Sequence, residues 1–344
     1  MHNSLLSNRE LVDCKQKAIA YLCSQISRKG SWNCFETLAG TSDEWVTAYV
    51  GCCVASMDDY EGRKLAEKAH KFLSGRRFFS SGWGFNKIVP CDADSTAWGI
   101  RLYELLAEQR PLGRKYRHAL KFLLKHVDTS GGVCTYKKEG PIRYFTRLKK
   151  NISFEGWCSA HPCVTAAVAN LKDPQLYFTL DNLRNNQRSN GSWMGYWWMD
   201  EEYTTGLAAA ALHRNDPTEK KLQSAIEWGF DKMSGKKFVS TSIFPEGSCF
   251  ATAWMLHLLS FSKQWDRVGH IVEWLVNKQQ SDGSWNASAA LRIPPPYCTD
   301  PESFLPWSTH GKGGGSIIMD KNSVFTTATV IFALEHYTQN CFSE

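Results

Sequence analysis

Residues 182–193 read NLRNNQRSNGSW, and residues 274–285 read WLVNKQQSDGSW. Both hold the same phrase of Gln, three residues, Gly, one residue, Trp: Gln187–Gly191–Trp193 and Gln279–Gly283–Trp285. LCSQISRKGSW at 22–32 is a third copy, with one extra residue between Gln25 and Gly30 ahead of Trp32. SSGWGF (80–85) and TSGGVCTY (129–136) are weaker relatives. A phrase that returns along a chain marks a supersecondary unit that buries its apolar face only against its neighbours.

Working outward, each phrase follows an amphipathic stretch, and its Gly, Ser and Asn supply helix-stop chemistry. Six such outer helices are predicted, at about 9–25, 62–75, 114–127, 174–187, 217–233 and 266–280. Asp173-Pro174 and Asp216-Pro217 are expected starts, with Asp as cap and Pro at the first helical position. Between the outer stretches lie 45–57, 94–108, 161–171, 202–213, 249–261 and 325–337, small and apolar, with Thr-Ala or Thr-Thr near their starts. Helices apolar nearly all round are buried. The alternation predicts an all-α fold, an (α/α)6 barrel of six inner and six outer helices, spanning 1–344 as one domain with no strand-rich region. Two connections, about 128–160 and 286–324, are long enough to be functional. Both lead to inner-helix N-termini, which makes that end the candidate active face.

Composition narrows the function classes. Of 344 residues, 43% are hydrophobic and 22% charged, a globular balance. No run approaches the ~18 apolar residues of a membrane span. The opening MHNSLLSNRELVDCKQK lacks a basic-then-apolar leader, so a cytoplasmic location is the default expectation. The 12 Cys include no CxxC pair and are expected to be small buried hydrophobes. The net charge of +6 is dispersed, which argues against a nucleic-acid partner. The 14 Trp point to heavy use of aromatic surface.

The second inner segment opens VPCDADSTAWG, with Asp92 and Asp94 at a helix N-terminus. Capping needs only one of them. Together with the Gln-x3-Gly-x-Trp phrase, this segment resembles the class II terpene cyclases, a family that includes squalene–hopene and oxidosqualene cyclases. The phrase resembles their QW repeat. Asp92-Ala93-Asp94-Ser95-Thr96-Ala97 resembles their Asp-x-Asp-Asp-Thr-Ala or Asp-Cys-Thr-Ala motif, departing from the first form at Ser95. The resemblance covers about residues 9–337, the length of one barrel where those larger cyclases have two. It implies a proton-initiated cyclisation of an isoprenoid, a prenyl diphosphate or a meroterpenoid, with Asp94 as general acid. Asp92, Ser95 and His161 are the other catalytic candidates.

The chemistry suits these residue types. An apolar cavity and the neighbouring Asp92 would raise the pKa of Asp94 and keep its proton on. The helix N-terminus pulls the other way, and the sequence does not decide between them. Aromatic faces stabilise the resulting carbocation by about 0.5–2 kcal/mol each. Trp32, Trp193 and Trp285 belong to the repeat and are read as structural. Candidates for lining the cavity are Trp45, Trp98, Trp157, Tyr196, Trp197 and Trp198. Tyr203, Phe244 and Trp307 join them. Asp43, Glu44, Asp200, Glu201 and Glu202 complement helix dipoles at inner-helix starts, and Glu246 or Asp320 would serve as base or cap.

Arg143 and Arg147, with Lys149 and Lys150, are candidates for an anionic head group. No cofactor is expected, although a diphosphate substrate would bring Mg2+. Cys158, His161 and Cys163, joined by Cys298 and His310, form a weaker candidate zinc set resembling that of lanthionine cyclases. Gly311 and Gly313–Gly315 around Lys312 form either an anion nest or a lid. The expected partner is a small isoprenoid; membrane-surface contact and a homodimer are both compatible with the sequence. Alternatives are a non-catalytic isoprenoid or peptide binder, or a barrel enzyme of another class such as a glycoside hydrolase.

Overall fold

The computed structural model describes residues 7–76, 81–107 and 113–342. In chain order it contains α1 (Asn8–Gln25), the hairpin β1 (Glu36–Thr37) and β2 (Gly40–Thr41), α2 (Glu44–Ala55), α3 (Tyr60–Ser74), α4 (Ala93–Leu106) and α5 (Arg114–Leu124). There follow α6 (Glu139–Thr146), α7 (Glu155–Cys158), α8 (Pro162–Ala169), α9 (Thr179–Asn186), α10 (Glu202–Asn215) and α11 (Lys220–Lys232). The chain ends with α12 (Cys249–Ser260), α13 (Trp265–Asn277), β3 (Ala290–Ile293), β4 (Ser316–Met319) and α14 (Val324–Cys341).

Helices α2, α4, α8, α10, α12 and α14 pack in that order, and α14 returns to α2, closing the inner ring. Helices α1, α3, α5, α9, α11 and α13 form the outer layer. The protein is an all-α barrel. Among the described residues, strands are confined to two antiparallel two-stranded sheets in the loops at one end. Glu108 of the expected second inner segment and Ser80 of the SSGWGF phrase lie outside the described residues.

Backbone accounting at the helix ends explains the repeat. A helix leaves its last carbonyls without partners. The indole N–H groups of Trp32, Trp83, Trp193 and Trp285 donate to the carbonyls of Leu22, Leu73, Leu183 and Leu275, at 2.6–3.0 Å. Each carbonyl lies ten residues upstream, near the end of the preceding outer helix. Gln187 donates to Gly191 and Lys221 carbonyls, and Gln279 to those of Gly283 and Cys14. The phrase thus ties one outer helix to the next, and the last copy closes onto α1. Gly191 (φ +95°) and Gly283 (φ +91°) adopt left-handed conformations against the neighbouring backbone, where a Cβ would meet the Ser224 and Lys17 carbonyl oxygens at 2.2 and 2.3 Å. The extra residue in the first copy removes Gln25 from this role: it is exposed and donates to Ser24 Oγ.

The inner-helix threonines have a function beyond small size. Thr47, Thr96, Thr165, Thr205, Thr252 and Thr327 are all buried. Their hydroxyls accept from the backbone N–H groups of Trp32, Trp83, Val133, Trp193, Val239 and Trp285, at 2.9–3.2 Å. Six copies of one bond join each loop to its inner helix. Thr205→Val is expected to leave the Trp193 N–H unsatisfied and to destabilise the protein by about 1–3 kcal/mol. Thr205→Ser should recover most of that in a denaturant titration.

Two expected starts differ. Asp173 caps a 3-10 turn, Pro174–Leu176, and α9 begins only at Thr179. Asp216 accepts from the Thr218 N–H and hydroxyl and so closes a turn, and Glu219 caps α11 instead.

Candidate active site

The second residue of each inner helix points into the mouth of the ring, at the end carrying the long loops. These residues are Trp45, Asp94, Cys163, Tyr203, Phe250 and Phe325. Asp94 is the one carboxyl among them. Trp198, from the loop before α10, lies over the ring centre, with ring centroids 4.4–6.3 Å from Tyr203, Phe250, Phe325, Trp45 and Phe35. It reaches this place because residues 197–199 pair with β3: Met199 N–H donates to the Ala290 carbonyl, and Arg292 N–H to that of Trp197. The Arg292 guanidinium donates to the carbonyls of Gly195 and Tyr196, which fixes the same loop. One turn below the mouth, Trp98 meets Tyr49 edge-on at 4.7 Å, and Tyr49 shares a hydrogen bond with Thr329.

Asp92 is the N-cap of α4. Its carboxyl accepts from the Ser95 N–H (2.7 Å) and hydroxyl (2.8 Å), so Asp92 and Ser95 form one fixed unit. Asp94 is partly buried, whereas the other five mouth side chains are buried. Burial, and then the charge of Asp92, hold its pKa well above the usual carboxylate range. The nearby indoles of Trp45 and Trp98 oppose this without reversing it. Their Nε1 groups and the Tyr203 hydroxyl are buried and have no hydrogen-bond partner.

Several candidates are committed to other tasks. His161 is buried and stacked on Tyr196 at 3.8 Å. Its Nε2–H donates to the Gly156 carbonyl (2.7 Å), leaving Nδ1 to accept from Thr135 Oγ1 (2.6 Å). Burial drives its pKa to about 3, so it is neutral. Tyr196 donates to the Cys298 carbonyl, Trp157 to that of Pro294, and Trp197 to Thr135 Oγ1. These four residues build the loop layer above the mouth. Phe244 sits in a turn closed by reciprocal bonds with Thr241 and makes no ring contact with the cluster. Trp307 packs on Phe304 in the long surface loop.

The basic loop also differs from its expectation. Arg143 donates to the Lys149 and Ile152 carbonyls and to Glu139, bracing α6 from beneath. Arg147 ends α6 in a left-handed conformation (φ 55°) and is exposed, as are Lys149 and Lys150. Lys312 of the glycine loop pairs with Glu36, and its carbonyl accepts from the Leu38 N–H, so this loop is strapped to the β1–β2 hairpin.

The acids at inner-helix starts form ion pairs. Arg76 joins Asp43, and Lys232 joins Glu201 and Glu202. Burial and then Glu202 raise Asp200 to about 7. Asp320 accepts from the Cys34 thiol and the Thr326 N–H, anchoring the start of α14, and Glu246 is exposed. Among the described residues, no three His, Cys, Asp or Glu side chains are grouped to hold a metal. None of their helices is long and apolar enough to cross a membrane.

No family model matches the chain, and no curated protein sequence does. Solved structures do. The type II terpene cyclase MstE from Scytonema is 35% identical with a TM-score of 0.89, over 96% of this chain and 99% of that one. This chain belongs to the type II terpene cyclase family. A protein from Actinoplanes is 32% identical, also with a TM-score of 0.89, over 95% of this cyclase and 99% of its own chain. The ent-copalyl diphosphate synthase from Streptomyces platensis (15% identity, TM-score 0.58) shares the fold over 86% of this chain and 50% of its own. A heparin-specific unsaturated glucuronyl hydrolase, 9% identical with a TM-score of 0.58, is likewise similar in fold alone.

Proposed function

We propose that this cyclase converts a linear isoprenoid bearing a polar head group into a fused-ring product, with Asp94 as the general acid. The observation that carries the reading is the ring at the mouth: one carboxyl, whose proton affinity burial raises, in a wall otherwise of aromatics and a thiol. A carboxylic acid that keeps its proton in an apolar site can deliver it to an alkene. The O–H bond breaks, a C–H bond forms, and the cation moves to the adjacent carbon. Trp198, Tyr203, Phe250 and Phe325 present ring faces and edges where that cation would travel, a setting for cation–π stabilisation. The cascade ends when a base removes a proton or water adds. The chemistry is redox-neutral and needs no resident cofactor.

Asp92 acts through its charge and Ser95 by pinning Asp92. His161 and Tyr196 support the loop layer, and Trp157 and Trp197 form its underside. Substituted variants of the relative MstE have been captured, one (arginine to alanine) with geranylgeranyl dihydroxybenzoate as substrate and one (aspartate to alanine) with merosterolic acid A as product. An aspartate-to-asparagine variant of it was captured with the same substrate. A meroterpenoid of that kind is therefore the first substrate class to test here, with the exposed Arg147, Lys149 and Lys150 as cations for an acidic head group.

The test is product analysis by mass spectrometry with geranylgeranyl dihydroxybenzoate, geranylgeranyl diphosphate and squalene. A new isomer of one substrate is the expected result, and it also names the head group. Tight binding with every substrate returned unchanged would instead indicate a non-catalytic binder.

A further inference from the structure

Trp45 and Trp98 stand beside the acid, and the obvious assignment is to the cation-stabilising wall. A second task is open to them at the indole nitrogens. The ring of Trp45 is covered by Phe35, Phe85 and Phe325, with centroids at 5.4, 6.3 and 5.2 Å. Trp98 is engaged by Tyr49 at 4.7 Å. The parts left without partners are the indole N–H groups, buried and near the Asp94 carboxyl from two directions. Trp45 is in the first turn of the adjacent helix α2, and Trp98 is one turn below Asp94 on α4. Tyr203, whose buried hydroxyl is also unpartnered, neighbours Asp94 and Trp98.

An indole N–H donates and never accepts. It cannot receive the proton of Asp94, so the two indoles leave that proton to the remaining side of the mouth, where the Tyr203 hydroxyl also stands. Once the proton has gone, the same two groups face a carboxylate, and charge-assisted hydrogen bonds are about twice as strong as neutral ones.

We propose that Trp45 and Trp98 are positioning residues for the acid: their N–H groups orient the Asp94 proton toward the substrate and stabilise the carboxylate left by its transfer. This rests on the reading of Asp94 as the general acid. The pair acts as an anion hole on the enzyme's own side of the reaction. Donors that are fixed before the reaction gain most where charge develops, and loss of one such donor typically costs about 10²–10³ in kcat.

The test replaces each Trp by Phe, singly and together, which keeps an aromatic ring and removes the N–H. With geranylgeranyl dihydroxybenzoate, each single variant is expected to lose about 10–100-fold in kcat, with KM changed less than about threefold. The alkaline limb of the pH–rate profile should move to higher pH, because an acid deprived of its anion hole is weaker. A ring needed only for packing would slow the enzyme without that upward shift.

The second measurement does not depend on turnover. The protonated carboxyl stretch of Asp94, assigned in the infrared by its loss in Asp94→Asn, is titrated in wild type and both Phe variants. A higher pKa in the variants supports the proposal even if the substrate assay fails, in which case only the reading of Asp94's task falls. An unmoved or lowered pKa overturns the proposal even if wild type is an active cyclase.

Discussion

Asp94→Asn is expected to abolish cyclisation, lowering kcat by about 10³-fold or more, near the upper part of the range for a removed general acid. Asparagine keeps the size and polarity of the side chain, so substrate should still bind within a few-fold of wild type. The same substitution should stabilise the fold. The Asp94 carboxyl holds its proton more tightly in the folded state than in the unfolded one. Such a group supports stability at acid pH and loses that contribution as pH climbs past the ordinary carboxylate range toward its folded pKa. At neutral pH the neutral amide avoids this loss. The expected signature is an inactive enzyme with a higher Tm than wild type at pH 7 and a smaller difference at pH 4. Equal Tm values at both pH values would remove the electrostatic burden placed on Asp94.

The second large effect is on stability. Trp285 is fully buried, its indole closes the Leu275 carbonyl, and its backbone N–H is held by Thr327. Trp285→Ala leaves a cavity and an unmet helix-end carbonyl, which together should cost about 3–5 kcal/mol. The loss falls where the last repeat docks onto α1, so it weakens ring closure itself. Trp285→Phe should lose less, since only the N–H and part of the volume go. Urea unfolding monitored by circular dichroism reads both, and a Trp285→Ala loss below about 1 kcal/mol would contradict the structural reading of the repeat.

What the sequence disclosed follows from how local each signal is. The Gln-x3-Gly-x-Trp phrase states its own physics: a helix end, a left-handed glycine, and a Trp that turns back onto the same helix. Twelve helices in alternating layers were therefore legible. The α9 and α11 starts were not, because Asp173 and Asp216 serve short turns as readily as helices. The mouth was legible in part. Trp45, Asp94 and Tyr203 stood out by residue type, whereas Cys163 drew notice only as a zinc candidate and Phe250 and Phe325 passed as ordinary core. A signal for them exists: each mouth residue stands two places before one of the six buried threonines. Once Thr47, Thr96, Thr165, Thr205, Thr252 and Thr327 are aligned, the whole ring can be read off. His161, Tyr196 and Arg143 are different. Their partners are backbone carbonyls of Gly156, Cys298, Lys149 and Ile152, and no spacing encodes those contacts. Trp198 likewise owes its place to pairing with β3, ninety residues farther on.

The opposing pulls on Asp94 illustrate a question only the fold could answer. Helix dipole and burial act with opposite sign, and the sequence contains both. In the folded chain burial comes first, Asp92 adds to it, and the indoles oppose it only in part.

The most direct test of proton-initiated cyclisation by Asp94 is the mass of the product formed in D2O. The carboxyl exchanges with solvent, so the carbon it protonates should carry a single deuterium. The predicted result is a cyclised product one deuterium heavier than that made in H2O, and none from Asp94→Asn. A cyclised product without deuterium, or one formed by Asp94→Asn at the wild-type rate, would contradict the account.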